Sequence, residues 1–165
     1  MASANPKNPR YVRMRLLAVT AAVLSALLFA PACAVTGPAK CDDCAKAQSV
    51  VESVAKQHPD CVRLTVHCTM EGGTKACAST VADKIGKASD KEDLDAMRTG
   101  ETIVLDEAGA IDVTVPINGK DGKYASACGV TMKAGTPRDQ ALAKATTIAK
   151  AVEAGLGGAC ACCCK

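Results

Sequence analysis

The sequence predicts an α+β domain: a five-stranded antiparallel sheet with an N-terminal and a C-terminal helix packed on it. Three observations carry this. Apolar stripes with helical period lie at both ends of the body. Ala47, Val50, Val51 and Val54 fall at i, i+3, i+4 and i+7, and Ala141, Leu142, Ala145, Ile148, Ala149 and Val152 share one face. Between them run stretches that alternate with a period of two, such as residues 61–68 and 110–117, separated by glycine-containing turns. One short helix interrupts the strands, opened by a Ser89…Glu92 capping box and closed by Gly100.

Taken in order, residues 1–32 read as a signal peptide. Lys7, Arg10, Arg13 and Arg15 precede an apolar run over 16–29, which is shorter than the roughly 20 residues of a membrane span. Cys33 after Ala32 fits lipoprotein cleavage, giving a lipid on Cys33 that anchors the chain to a membrane surface; ordinary cleavage after Ala32 or Ala34 competes. The whole chain carries +3, but removing the four leader cations leaves 20 − 4 = 16 basic against 17 acidic residues. No basic stripe remains to follow phosphates, so nucleic acid is not expected as a partner. The core has neither Trp nor, past the leader, Phe, and its small side chains bury little area each. The eleven cysteines suit a domain that needs covalent or metal staples.

Residues 33–40 form a linker with Gly37-Pro38, and the domain is expected over 41–157. Asp42 or Asp43 caps a helix that Pro59 stops. The strand at 61–68 puts Val62, Leu64, Val66 and Cys68 on one face and Arg63, Thr65 and His67 on the other. With Gly72-Gly73 as a two-residue turn, Cys68 comes opposite Cys77 at disulfide distance. In the short helix, Leu94 and Met97 face inward. Strands at 102–106, 110–117 and 123–133 follow. The closing helix takes Thr136 as cap and Pro137 as its first residue, and ends at Gly155.

A strand ending in Ala78-Ser79-Thr80, a loop bearing Ile85-Gly86-Lys87, a short helix ending in Thr99-Gly100 and a three-strand meander occur in that order. This succession resembles the extracytoplasmic PAS-like sensor domains of the Cache type, in a small, single-module form, over most of the chain after residue 41. The resemblance implies a non-enzymatic binding or sensor-like module in the cell envelope. It also implies a small-molecule pocket between the meander and the short helix, lined by Ser79, Met97, Tyr124, Ser126 and Cys128. In such an arrangement the first and last strands are central neighbours, and the start of the first helix meets the end of the last.

Catalytic signatures are scarce: there is no Gly-x-Ser-x-Gly, phosphate loop or His-Glu-x-x-His, and His58 and His67 read as ordinary surface groups. Cys41-Asp-Asp-Cys44 follows a Gly-Pro linker rather than a strand, which argues against thioredoxin-like exchange. Together with Cys160, Cys162, Cys163 and Cys164 in the tail at 158–165, Cys41 and Cys44 form a metal or disulfide set, the metal being Cu(I) or Zn. A thiol-based metal-binding protein on this scaffold is therefore the alternative function. The partners expected are a membrane surface, a small molecule or metal, and a second copy in a homodimer.

Overall fold

The computed structural model describes residues 42–119 and 122–157; the leader, Cys33, Cys41 and the cysteines of the tail lie outside them. The elements are α1 (Asp42–Gln57), β1 (Cys61–Met70), β2 (Gly73–Ser79), a 3-10 turn (Ala82–Lys84), α2 (Lys91–Thr99), β3 (Ile103–Glu107), β4 (Ala110–Asn118), β5 (Tyr124–Met132) and α3 (Arg138–Leu156). The strands form one antiparallel sheet in the order β2-β1-β5-β4-β3. The first and last strands are thus central neighbours, as expected.

Alternation divides the sheet into two faces. Leu64, Val66 and Cys68 of β1, Val113 and Ile117 of β4, and Cys128, Val130 and Met132 of β5 are buried in one core. The apolar stripes of α1 and α3 cover that face with Ala47, Val51, Val54, Ala145, Ile148 and Val152. Small side chains let the two helices approach closely. A Cβ on Gly155 would stand 2.7 Å from Val50 Cγ1, and Lys46 Nζ donates to the Leu156 carbonyl at 3.0 Å. The start of α1 therefore meets the end of α3.

The β2 edge is covered by the segment that follows it, and one carbonyl of the β3 edge is taken by a side chain. Beside β2, Ala76 N–H donates to the Lys87 carbonyl at 2.9 Å and Ser89 N–H to Thr74 at 3.0 Å. Beside β3, Arg138 Nη2 donates to the Val104 carbonyl at 2.9 Å.

Several local expectations are corrected. Met70 pairs with Gly73, so Glu71-Gly72 is the turn and Gly73 is a strand residue; its φ of 114° is one that glycine tolerates. This register sets Cys68 opposite Lys75, not Cys77. Cys77 falls in a bulge, where His67 pairs with Ala76 and Val66 with Ala78. No disulfide joins Cys68 to Cys77, although both are buried. The capping box sits one residue later, between Asp90 and Asp93, and turns Leu94 outward to 46 % exposure. Pro137 is the N-cap of α3, Leu142 lies at the exposed border of its stripe, and the helix ends at Gly157, whose φ is 61°.

Candidate binding cleft

The face away from α1 and α3 is polar because β1 turns Arg63, Thr65 and His67 toward it, β4 turns Asp112, and β5 contributes Gly129. Lys84, the strand-like segment after it and the first turn of α2 form the opposite wall. Between them lies a cleft of about 230 Å³. Gly129 leaves its floor open: a Cβ there would touch nothing nearer than His67 Nε2 at 3.8 Å.

Charge in the cleft is arranged in two groups. In the first, Arg63 Nη2 donates to Asp112 Oδ1 at 3.3 Å and to Glu107 Oε2 at 3.4 Å. Thr131 Oγ1 donates to the same Asp112 oxygen at 2.5 Å. Asp112 is buried, and these bonds compensate its lost hydration. In the second, His67 Nδ1 lies 2.9 Å from Ser89 Oγ and 3.2 Å from Asp93 Oδ2. Asp93 Oδ2 also accepts the Asp90 N–H at 3.0 Å, so one carboxylate both caps α2 and ties it to β1.

Burial moves both members of this second group away from charge. It pushes the Asp93 carboxyl up to about 6, with Glu92, Asp90 and Asp112 adding to the rise. It pushes His67 down to about 4, against the opposing pull of Asp90 and Asp112. At neutral pH the pair is a carboxylate and a neutral imidazole. Nδ1 then shares a hydrogen bond with Ser89 Oγ whose direction the tautomer sets, and it stands 3.2 Å from the Asp93 carboxylate.

Of the residues expected to line a pocket, the structure brings few to this one. Ser79 is beside the cleft, its Oγ 2.9 Å from Thr65 Oγ. Met97 is half-buried on α2, away from the lining, and Tyr124 is 39 % exposed with its ring against Gly100. Ser126 and Cys128 belong to the opposite face: Cys128 is in the helix-covered core, and Ser126 Oγ reaches Cys68 Sγ at 3.8 Å. The error is one of strand parity. In β5 the core side reads Cys128, Val130, Met132, and the cleft side Ala127, Gly129, Thr131. The apolar alternation of 128, 130 and 132 was the available signal.

The residues missed by sequence reasoning are Arg63, His67, Asp93 and Asp112. His67 is no ordinary surface group, since its side chain is only 12 % exposed. The polar parity of 63, 65 and 67 marked three of the cleft's walls; the pairing with α2 was not legible. Among the cysteines, Cys44 packs at the border of the core. Cys61 Sγ donates to the Arg63 carbonyl at 3.2 Å, and burial pushes its thiol up to about 11, far from a reactive thiolate. No group of three or more metal-ligating side chains occurs among the described residues. Nor is any helix among them long and apolar enough to cross a membrane.

No protein-family model matches the chain, and no curated protein matches it in sequence. Solved structures do match. A GAF domain/HD domain protein from Geobacter sulfurreducens aligns with a TM-score of 0.53 at 10 % identity, covering 72 % of this chain and 92 % of that one. The sensor domain of DcuS from E. coli aligns at 0.41 and 21 % identity, over 61 % and 70 %. A type II free methionine-R-sulfoxide reductase from Thermoplasma acidophilum aligns at 0.46 and 13 % identity, over 69 % and 92 %. The likeness to the Geobacter protein is one of fold alone: an α+β domain on a five-stranded antiparallel sheet, of the GAF-like kind.

Proposed function

We propose that the chain is a non-enzymatic, sensor-like binding module that takes a small polar molecule in the cleft between the sheet and α2. The carrying observation is the cleft itself: a cavity of about 230 Å³ on the sheet face opposite the core, walled by Arg63, His67, Asp93 and Asp112. A domain that merely needed stability would gain more from closing this face with apolar side chains than from burying paired charges there. The Cache-like order of elements supports the same role. The charged walls favour small molecules that carry their own hydrogen-bonding or ionic groups.

A thermal-shift panel of small carboxylates, amines and zwitterions at millimolar concentration tests this. At least one class should raise the melting temperature of the wild type. Gly129→Val, which fills the cleft floor from a position where a Cβ fits, should abolish that shift while the protein remains folded. A panel without response, or an equal response from the variant, contradicts the proposal.

We further propose that residues 1–32 export the module and that a lipid on Cys33 holds it on a membrane surface. Cys33→Ser should then move the protein from the membrane fraction to the soluble one. Retention in the membrane fraction would remove the lipid from the account.

A further inference from the structure

We propose that the cleft takes a small aliphatic diamine, bound as its dication, with one ammonium group at Asp93 and the other at Asp112. The inference rests on the binding-site reading above and names the ligand class of that same cleft.

The cleft is short of positive charge. Five carboxylates line it against three cations, Arg63, Lys84 and Lys87, which leaves two negative charges over. His67 adds no cation at neutral pH, because burial holds it down to about 4. Arg63 is already engaged by Asp112 and Glu107, so a ligand carboxylate finds no unspent cation beside the sheet. Lys84 and Lys87 belong to the outer wall, half-buried and exposed, and neither forms an ion pair among the described residues.

Two of the five carboxylates hold an unused acceptor. The side chains of Asp93 and Asp112 are only 6 % and 8 % exposed. Asp93 Oδ2 accepts the Asp90 N–H at 3.0 Å and stands 3.2 Å from His67 Nδ1. Asp112 Oδ1 accepts from Arg63 and Thr131. The second oxygens, Asp93 Oδ1 and Asp112 Oδ2, accept no hydrogen bond among the described residues. No fully buried side-chain oxygen among those residues lacks a partner, so these two keep accessible surface, and the space they open on is the cleft. An ammonium group supplies the charge and the donors that such an oxygen calls for.

The two carboxylates lie toward opposite ends of the floor, which selects a molecule charged at both ends. The register puts Asp112 level with Arg63 and Thr131, Gly129 level with Thr65 in the next row, and His67, which meets Asp93, in the row beyond. Four residues of strand, about 13 Å of backbone, separate the outer rows. His67 leans inward from the last of them, its Nε2 3.8 Å from the place of a Cβ on Gly129. Gly129 leaves the middle row without a side chain, so a short methylene chain can lie across it. The cavity of about 230 Å³ is smaller than the roughly 300–1,000 Å³ of pockets for drug-sized ligands, as a molecule of this size requires. Burial, and then Glu92, Asp90 and Asp112, push the Asp93 carboxyl up to about 6; a dication along the floor relieves the repulsive part of that rise.

The test is isothermal titration of the full chain with α,ω-diamines from 1,4-diaminobutane to 1,6-diaminohexane, beside the monoamine and the ω-amino acid of each chain length. At least one diamine should bind about tenfold or more tightly than its monoamine and its amino acid. Asp112→Asn should erase that advantage, and Gly129→Val should abolish binding of both amines. The ranking on the wild type needs no variant, and melting temperatures without ligand show that each variant is folded. A diamine no tighter than its monoamine, or an advantage kept in Asp112→Asn, overturns the proposal. Amino acids that bind more tightly than the diamines, and are lost in Gly129→Val, overturn the diamine but leave the cleft as the binding site. Diamine binding that Gly129→Val does not change overturns both.

Discussion

His67 and Asp93 hold opposite shifts, and their effects on stability oppose each other. His67 titrates near 4 in the fold against 6.5 unfolded, so its contribution is fully present above pH 6.5 and is lost as pH falls toward 4. Asp93 titrates near 6 against 3.8 unfolded, so the fold takes up a proton first and gains stability as pH falls from about 6 toward 4. Over that window the native pair and the unfolded pair each hold about one proton, and the two slopes nearly cancel. Removing either partner exposes the other. Asp93→Asn should lose on the order of 1–2 kcal/mol between pH 6.5 and 4.5, and His67→Asn should gain a similar amount over the same range. Urea midpoints measured along the pH series read both slopes; flat profiles in both variants would refute the paired titration. Sequence alone placed His67 on the polar face of β1 but could not show its burial, because the covering groups, Ser89 before α2 and Asp93 in its first turn, come 22 and 26 residues later.

At the scale of elements, glycine marks two different demands. Gly157 supplies the left-handed cap of α3, whereas Gly155 is interior to the helix and leaves room for Val50. Gly155→Ala should improve helix propensity by about 1 kcal/mol, yet the new Cβ would meet Val50 Cγ1 at 2.7 Å and force the helices apart. We expect net destabilisation of about 1–2 kcal/mol, relieved in the double variant with Val50→Ala; denaturant melts of both variants check this. A single variant more stable than wild type would show that the helices adjust freely. The two candidate stops were two residues apart in sequence, and only the helix contact distinguishes them. The hairpin was misread for a similar reason. Gly72 and Gly73 both tolerate the turn, and the bulge at Cys77 leaves no compositional trace.

Across the whole molecule, the order of elements was the most legible property, since long periodic stretches and glycine turns define a five-stranded sheet between two helices. The arrangement of β1 beside β5 and the meeting of the helix ends were implied by the PAS-like resemblance, and the structure has both. The location of the cleft did not, because it depends on which parity of β5 faces the core, and a shift of one residue exchanges the two faces. Cys128 and Ser126 went to the helices, and Gly129 to the cleft. The central claim is that this cleft is the binding site. Its most direct measurement is amide chemical-shift mapping of the isotopically labelled protein with the compound class that raises its melting temperature. Shifts confined to Arg63, His67, residues 87–93, Asp112 and Gly129 are the result the cleft demands. Shifts gathered instead along α1 and α3, with those positions unmoved, would contradict it.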